Sequence, residues 1–96
     1  MFVVSITYKV NLEQVESHLD DHIAYLDRQY ELGHFLVSGR KVPRTGGVIL
    51  ALAQSREMLD AVLAEDPFYQ HALADYDVTE FVPTKSSQEL ALLLNR

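Results

Sequence analysis

A histidine and an aspartate far apart in the sequence have the residue types needed for proton transfer. His22 lies in an amphipathic stretch, and Asp66 stands much later, directly before Pro67. An imidazole titrates near neutral pH, and a carboxylate can orient its ring and fix its tautomer. The local pattern also allows plainer roles, because Asp66 suits a helix N-cap and His22 suits a hydrogen-bonded core histidine. The pattern alone leaves both interpretations open.

A metal site is the second possibility on the same stretch. His18 and His22 are four residues apart, which lets two imidazoles share one metal on a helix face. Leu19 stands where the helix of a zinc protease carries its glutamate base, and no clear third ligand accompanies Asp20 and Asp21. We therefore expect no metal and no cofactor, and a solvated His18.

Small and basic residues follow at the end of a predicted strand. Ser38 has no base in its local sequence, so we expect it to line a pocket and not to act as a nucleophile. Gly39 would let a ligand approach the backbone. Arg40, with Lys41 and Arg44, forms the one dense basic group of the sequence. This group either is a solvated turn or holds a small anionic ligand.

The amphipathic stretch from Leu12 to Leu32 predicts one long helix. Steps of three and four residues put six apolar side chains on one face, with His22 at its edge. These side chains are Leu12, Val15, Leu19, Ile23, Leu26 and Tyr30. Asn11 offers an N-cap, and Gly33 can take the left-handed conformation that closes a helix.

The remaining pattern predicts four strands and three further helical segments. The strands cover residues 2–8, 34–41, 48–53 and 76–83. A helix begins after Ser55, a short helix covers 67–74, and an amphipathic helical tail covers 89–94. Alternation in the second strand puts Phe35 and Val37 on one side and Ser38 on the other. The turn over residues 43–47 contains two glycines, which permit positive φ.

The order β-α-β-β-α-β plus a tail predicts a ferredoxin-like α+β fold with a four-stranded antiparallel sheet. Both main helices are expected on one face of that sheet. The third strand is apolar at every position, so both of its faces are expected to be buried. We therefore predict a homodimer in which two sheets pack face to face or close into a barrel.

The composition is that of one globular domain over residues 1–96, with 48% apolar and 23% charged residues. There is no cysteine, which excludes disulfides and thiolate metal sites and fits a reducing cytoplasm. The net charge of −6 disfavours a nucleic-acid partner, because phosphates would repel it. The first residues suit a strand, and they predict neither a signal peptide nor a membrane span.

Several motifs together resemble the YciI-like (YCII-related) family of the dimeric α+β barrel group. The resemblance runs over about residues 2–83. It is carried by His22 with Ala24-Tyr25-Leu26, by Gly33, by Ser38-Gly39, by Pro43-Arg44-Thr45-Gly46-Gly47 and by Asp66-Pro67-Phe68.

The resemblance implies a site and a class of reaction. The family's helix histidine and the aspartate of its Asp-Pro-Phe motif are held to form the active-site pair, which corresponds to His22 and Asp66 here. The family often has a serine before the strand-end glycine, as at Ser38, and usually a proline where this chain has Arg40. One branch removes hydrogen chloride from a chlorinated hydroxyhydroquinone, a lyase reaction that suits a histidine base.

The sequence therefore predicts a small cytoplasmic homodimeric enzyme that acts on a small molecule by general acid–base catalysis. His22 moves the proton, Asp66 orients it, and Ser38, Gly39 and Arg40 bind the substrate. The alternatives are a metabolite-binding module that uses the same cleft without catalysis, and a purely structural dimer.

Overall fold

The computed structural model describes residues 1–95 and contains a four-stranded antiparallel sheet. Its strands are β1 (Phe2–Tyr8), β2 (Phe35–Arg40), β3 (Gly46–Ala51) and β4 (Ala74–Glu80). They lie side by side in the order β2-β3-β1-β4, and every neighbouring pair is antiparallel. The predicted ferredoxin-like sheet is confirmed. β3 and β4 each begin two residues before their predicted start.

Four α-helices and a 3₁₀ helix accompany the sheet. They are α1 (Leu12–Glu16), α2 (Leu19–Glu31), α3 (Arg56–Leu63), α4 (Pro67–Gln70) and a 3₁₀ helix over Gln88–Asn95. The predicted tail thus forms a helix of the tighter 3₁₀ type, and α4 is shorter than the predicted segment over 67–74. None of the helices within residues 1–95 is both long and apolar enough to cross a membrane.

The core lies between one face of the sheet and the helices. Phe2, Val4 and Ile6 alternate along β1, and their side chains are buried against α2 and α3. The helices contribute Tyr25, Leu59 and Leu63 to this cluster. A second, smaller cluster contains Val15, Phe68 and Leu73. Burying one such large side chain contributes about 1.5–3 kcal/mol to folding.

The predicted single helix over residues 12–32 is wrong, because the chain breaks it at Ser17 and His18. The Ser17 hydroxyl donates to the Gln14 carbonyl at 2.7 Å, and the His18 N–H donates to the Val15 carbonyl only three residues back. Serine often competes in this way for backbone groups that a continuous helix would use. α2 therefore starts afresh with His18 as its N-cap.

The restart turns a different face of α2 inward from the one predicted. Tyr25 and Gln29 are buried, whereas Ile23 is 45% exposed and Tyr30 is also exposed. His22 lies three residues before Tyr25, and its side chain is partly buried and 12% exposed.

The predicted alternation in β2 is also wrong, because a β-bulge lies between Phe35 and Val37. Phe35 is buried under the helices, while Val37 is 58% exposed on the opposite face of the sheet. An extra residue at a bulge shifts the side chains that follow it. Ser38 consequently pairs with Ile49, and it shares the face of the sheet that carries the helices.

The open face of the sheet remains uncovered in the single chain. Val48 on β3 is 39% exposed there, so the chain alone does not bury both faces of the third strand. The turn glycines also differ from expectation, because neither Gly46 nor Gly47 has a positive φ. Gly46 is instead fixed by close packing, since a Cβ there would lie 1.7 Å from the Ile6 carbonyl oxygen.

Candidate active site

Asp66 stands at the start of α4, where its local role is that of a helix N-cap. Its Oδ1 accepts a hydrogen bond from the Phe68 N–H at 3.0 Å, and Pro67 occupies the first helical turn. Its Oδ2 accepts a hydrogen bond from the Tyr76 hydroxyl on β4 at 2.5 Å. The side chain is fully buried. These donors compensate the cost of placing a carboxylate inside the protein.

His22 reaches Asp66 from α2. Its Nδ1 lies 2.8 Å from Asp66 Oδ1. The imidazole lies flat on the Phe68 ring, with centroids 3.9 Å apart and planes 4° apart. The side chain of His22 is 12% exposed. The local role of Asp66 as a cap and its contact with His22 therefore coexist, since one carboxylate oxygen can accept two hydrogen bonds.

The hydrogen bonds determine which nitrogen of His22 carries the proton when the ring is neutral. An ionised carboxylate only accepts hydrogen bonds, so Nδ1 must donate to Asp66. Nε2 then holds the free lone pair. Nε2 makes no hydrogen bond to the part of the chain that the structure describes, and it is not a buried atom without a partner. Nε2 therefore keeps some exposure to solvent, and His22 is one of the residues that line a cavity.

That space is a cavity of about 340 Å³ beside α2 and the β2–β3 hairpin. It brings His22 together with the predicted Ser38, Gly39 and Arg40. Asp66 does not line the cavity and lies behind His22. The remaining lining residues are Ile6, Tyr8, Leu19, Ile23, Leu26, Arg44, Gly46, Gly47, Val48 and Ile49. Cavities of this size bind small organic molecules.

The sequence did not indicate the roles of three aromatic residues of the site. Tyr76 bonds Asp66, Phe68 supports the His22 ring, and the Tyr30 hydroxyl lies 2.6 Å from Ser38 Oγ. Only Phe68 stood in a recognised motif, and no local pattern indicated that its ring would meet His22. The partners of Ser38 depend on the bulge in β2, which the sequence did not signal.

The tyrosines around the pair stay protonated. Burial raises the pKa of Tyr76, and the negative charge of Asp66 with its hydrogen bond raises it further. Burial and the Asp66 charge likewise raise the pKa of Tyr25. The Tyr25 hydroxyl donates to the Val62 carbonyl at 2.8 Å, which ties α2 to α3. Both groups act as stable hydrogen-bond donors, and Tyr25 has a packing role.

The histidine pair considered for a metal takes another arrangement. The His18 ring stacks on His71, with centroids 4.1 Å apart. Residues 1–95 contain no group of three or more His, Cys, Asp or Glu side chains placed to hold a metal ion.

A larger cavity of about 800 Å³ lies at the opposite end of β1. Its lining includes Met1, Met58 and Leu93, and the predicted site residues are absent from it. Its lining also includes His34 and Glu65, but within residues 1–95 His34 is hydrogen-bonded to Gln29 and not to a carboxylate, so the smaller cavity is the better candidate for chemistry.

The antiparallel sheet with its helices on one face defines a ferredoxin-like α+β protein. The chain belongs to the YCII-related domain family, whose model matches residues 1–82. This confirms the resemblance drawn from the motifs. No curated protein sequence matches the chain.

A solved structure with a similar fold is 5-chloro-2-hydroxyhydroquinone dehydrochlorinase from Burkholderia phenoliruptrix AC1100, in complex with 2,5-dihydroxybenzoquinone. The two chains are 20% identical and superpose with a TM-score of 0.72. The match covers 83% of this chain and 91% of the dehydrochlorinase. At this identity the likeness establishes the shared fold.

Proposed function

We propose that this protein is a small-molecule enzyme in which His22 transfers a proton and Asp66 orients the His22 imidazole. The observation that carries the proposal is the 2.8 Å contact from His22 Nδ1 to Asp66 Oδ1, with His22 on the cavity wall and Nε2 without a hydrogen bond to residues 1–95. A carboxylate behind an imidazole holds the ring in one tautomer and stabilises the imidazolium that forms. Phe68 adds a flat surface that limits rotation of the ring.

The proposed reaction is a proton transfer of the lyase or isomerase type. His22 Nε2 removes a proton from a C–H or O–H group of the substrate, and the electron pair of that bond stays with the substrate. In a lyase reaction this pair forms a new double bond as the leaving group departs. In an isomerase reaction the imidazolium returns the proton at another atom. General acid–base catalysis of this kind contributes about 10²- to 10⁴-fold to the rate.

The substrate proposed for the cavity is a small carbonyl-bearing or aromatic molecule. The cavity volume of about 340 Å³ fits a single ring with substituents. Ser38, Gly39 and Arg40 provide polar contacts along one wall. The similar dehydrochlorinase, which was solved with 2,5-dihydroxybenzoquinone, makes that quinone a sensible first probe for this chain.

The open face of the sheet supports the homodimer predicted from the sequence. Val37 and Val48 are exposed there, and Val3 and Leu50 lie half-buried beside them. An apolar strip of this kind is typical of an interface between copies. Light scattering should give twice the mass of one chain for the wild type and the mass of one chain for Val37→Lys. Val82→Lys, on an exposed valine beyond β4, is the control that should stay dimeric.

Deuterium exchange into candidate substrates tests the catalytic proposal. Small α-keto acids and 2,5-dihydroxybenzoquinone in D₂O should exchange C–H protons faster with the wild type than in buffer alone. His22→Gln should lower the enzymatic rate by about 10²-fold or more, while His71→Gln, an exposed histidine outside the cavity, should leave it unchanged. Binding of a probe without exchange, unaffected by His22→Gln, would instead support a metabolite-binding module.

A further inference from the structure

We propose that the cavity beside His22 takes a ligand with a planar oxyanion, a carboxylate or an ionised hydroxyquinone, and that Arg40 binds this group. The inference rests on the proposed function, since it names the substrate class of the same site. Arg40 would determine which molecules enter, whereas His22 would determine what happens to them.

The charge of the cavity differs from that of the whole protein. The chain carries a net charge of −6. The residues that line the cavity nevertheless include no Asp or Glu, and they include Arg40 and Arg44. The nearby Asp66 carboxylate is fully buried, and its oxygens already accept three hydrogen bonds. An anion that enters the cavity therefore meets positive charge at its wall.

The two arginines differ in whether their guanidinium groups already bind a carboxylate of the protein. Arg44 donates to Glu16 Oε1 at 3.0 Å, and this hydrogen bond raises the pKa of Arg44. Arg40 makes no salt bridge with any carboxylate within residues 1–95. Its guanidinium therefore keeps its donors available, and a guanidinium binds a planar oxyanion through two parallel hydrogen bonds.

The register of the sheet puts Arg40 on the helix side of β2, and Arg40 and His22 line the same cavity. Arg40 pairs with Gly47 on β3, and Ser38 pairs with Ile49 two residues away. Alternation along a strand turns these two side chains to the same face. Ser38, whose hydroxyl is bonded to Tyr30, adds a neutral polar contact beside Arg40.

The rest of the lining specifies the body of the ligand. Ile6, Ile23 and Leu26 give the cavity an apolar wall. A compact apolar or aromatic body would contact this wall, with its anionic group toward Arg40. This arrangement leaves the proton to be removed near Nε2 of His22.

Paired probes that differ in charge test this inference without requiring turnover. Calorimetry would compare benzoate with benzamide, and 2,5-dihydroxybenzoquinone at neutral pH with 1,4-benzoquinone, on the wild type. At least one anionic probe should bind about tenfold more tightly than its neutral counterpart, because charged hydrogen bonds are the stronger ones. The difference should shrink at high salt.

Three arginine variants complete the test. Arg40→Gln should bring each anion to within about twofold of its neutral partner, Arg40→Lys should keep part of the preference, and Arg28→Gln, an exposed control outside the cavity, should keep all of it. Equal binding of charged and neutral probes to the wild type, or an unchanged preference in Arg40→Gln, would overturn the inference.

The variant His22→Gln separates this inference from the proposed function. It should retain the preference for anions while losing proton exchange. If it retains exchange, the proposed function fails even where the Arg40 result holds.

Discussion

The His22 imidazole lies parallel to the Phe68 ring, with the two centroids 3.9 Å apart. The backbone N–H of the same Phe68 donates a hydrogen bond to Asp66 Oδ1, and this oxygen also contacts His22 Nδ1. One short helical turn therefore supplies both the carboxylate that aligns the imidazole and the surface that supports it. This close coupling explains why the Asp-Pro-Phe motif, and not an isolated aspartate, faces the histidine.

Replacing Phe68 with Leu should loosen the His22 ring while keeping the fold. Leucine is smaller than phenylalanine and offers no flat surface to the imidazole, so the variant loses some buried contacts as well as the stacking. We expect lower proton exchange in Phe68→Leu, in a protein that still unfolds cooperatively in urea. Phe35→Leu is the matched control, because Phe35 is a buried phenylalanine that packs against Tyr25. Equal exchange rates in the two variants would contradict a role for the Phe68 ring.

Removing the Tyr76 hydroxyl should destabilise the protein. In Tyr76→Phe the buried Asp66 Oδ2 loses its donor, which costs about 1–3 kcal/mol in the free energy of unfolding. Tyr69→Phe is the control on an exposed tyrosine and should change that free energy by less than about 0.5 kcal/mol. Urea unfolding measures both. A Tyr76→Phe protein as stable as its control would show that Oδ2 does not depend on this hydrogen bond.

Stability should fall at alkaline pH because of the same tyrosine. The pKa of Tyr76 is raised in the folded protein, so the folded state keeps a proton that an unfolded tyrosine releases above about pH 10. The stabilisation is therefore complete below that pH and is lost as pH rises toward the folded pKa. The free energy of unfolding should decrease from pH 8 to pH 11, and less steeply in Tyr76→Phe. Equal slopes in the two proteins would contradict the assignment.

Gly46 and Gly39 should respond in opposite ways to the same substitution. A Cβ at Gly46 would lie 1.7 Å from the Ile6 carbonyl oxygen, so Gly46→Ala must separate β3 from β1. A Cβ at Gly39 would meet no atom within 4 Å. We expect Gly46→Ala to cost more than about 3 kcal/mol or to prevent folding, and Gly39→Ala to leave the melting temperature nearly unchanged. Similar melting temperatures for both variants would refute the close contact at Gly46.

The sequence was informative where its residue pattern and its helix-capping residues were distinctive. The β-branched and aromatic residues at the start of the chain predicted β1, and the Asp66-Pro67 pair predicted the start of α4. The order of elements was sufficient to predict the sheet, since few connections satisfy a four-stranded antiparallel arrangement.

The sequence could not predict features that depend on an irregularity at a single position, such as a helix break or a β-bulge. A single serine, Ser17, ends α1 and divides the predicted helix in two, and Ile23 of the predicted apolar face is exposed. A bulge in β2 likewise moves Ser38 to the helix side. Neither event alters composition or periodicity enough to be visible in the sequence.

The tertiary hydrogen bonds of the site were also beyond local reasoning. Tyr76 and Asp66 are on different elements, and only the register of β4 against β1 turns the Tyr76 side chain toward the helices. The motif resemblance indicated that His22 and Asp66 belong together, but it did not reveal which third group supports the carboxylate.

The tautomer of His22 tests the central claim most directly, because the proposed chemistry requires a free lone pair on Nε2. Long-range proton–nitrogen NMR spectra of the protein at a pH where the ring is neutral would distinguish the two nitrogens. We predict a protonated Nδ1 and an unprotonated Nε2 in the wild type, and a loss of this preference in Asp66→Asn. A proton on Nε2 in the wild type would contradict the assignment of His22 as the base.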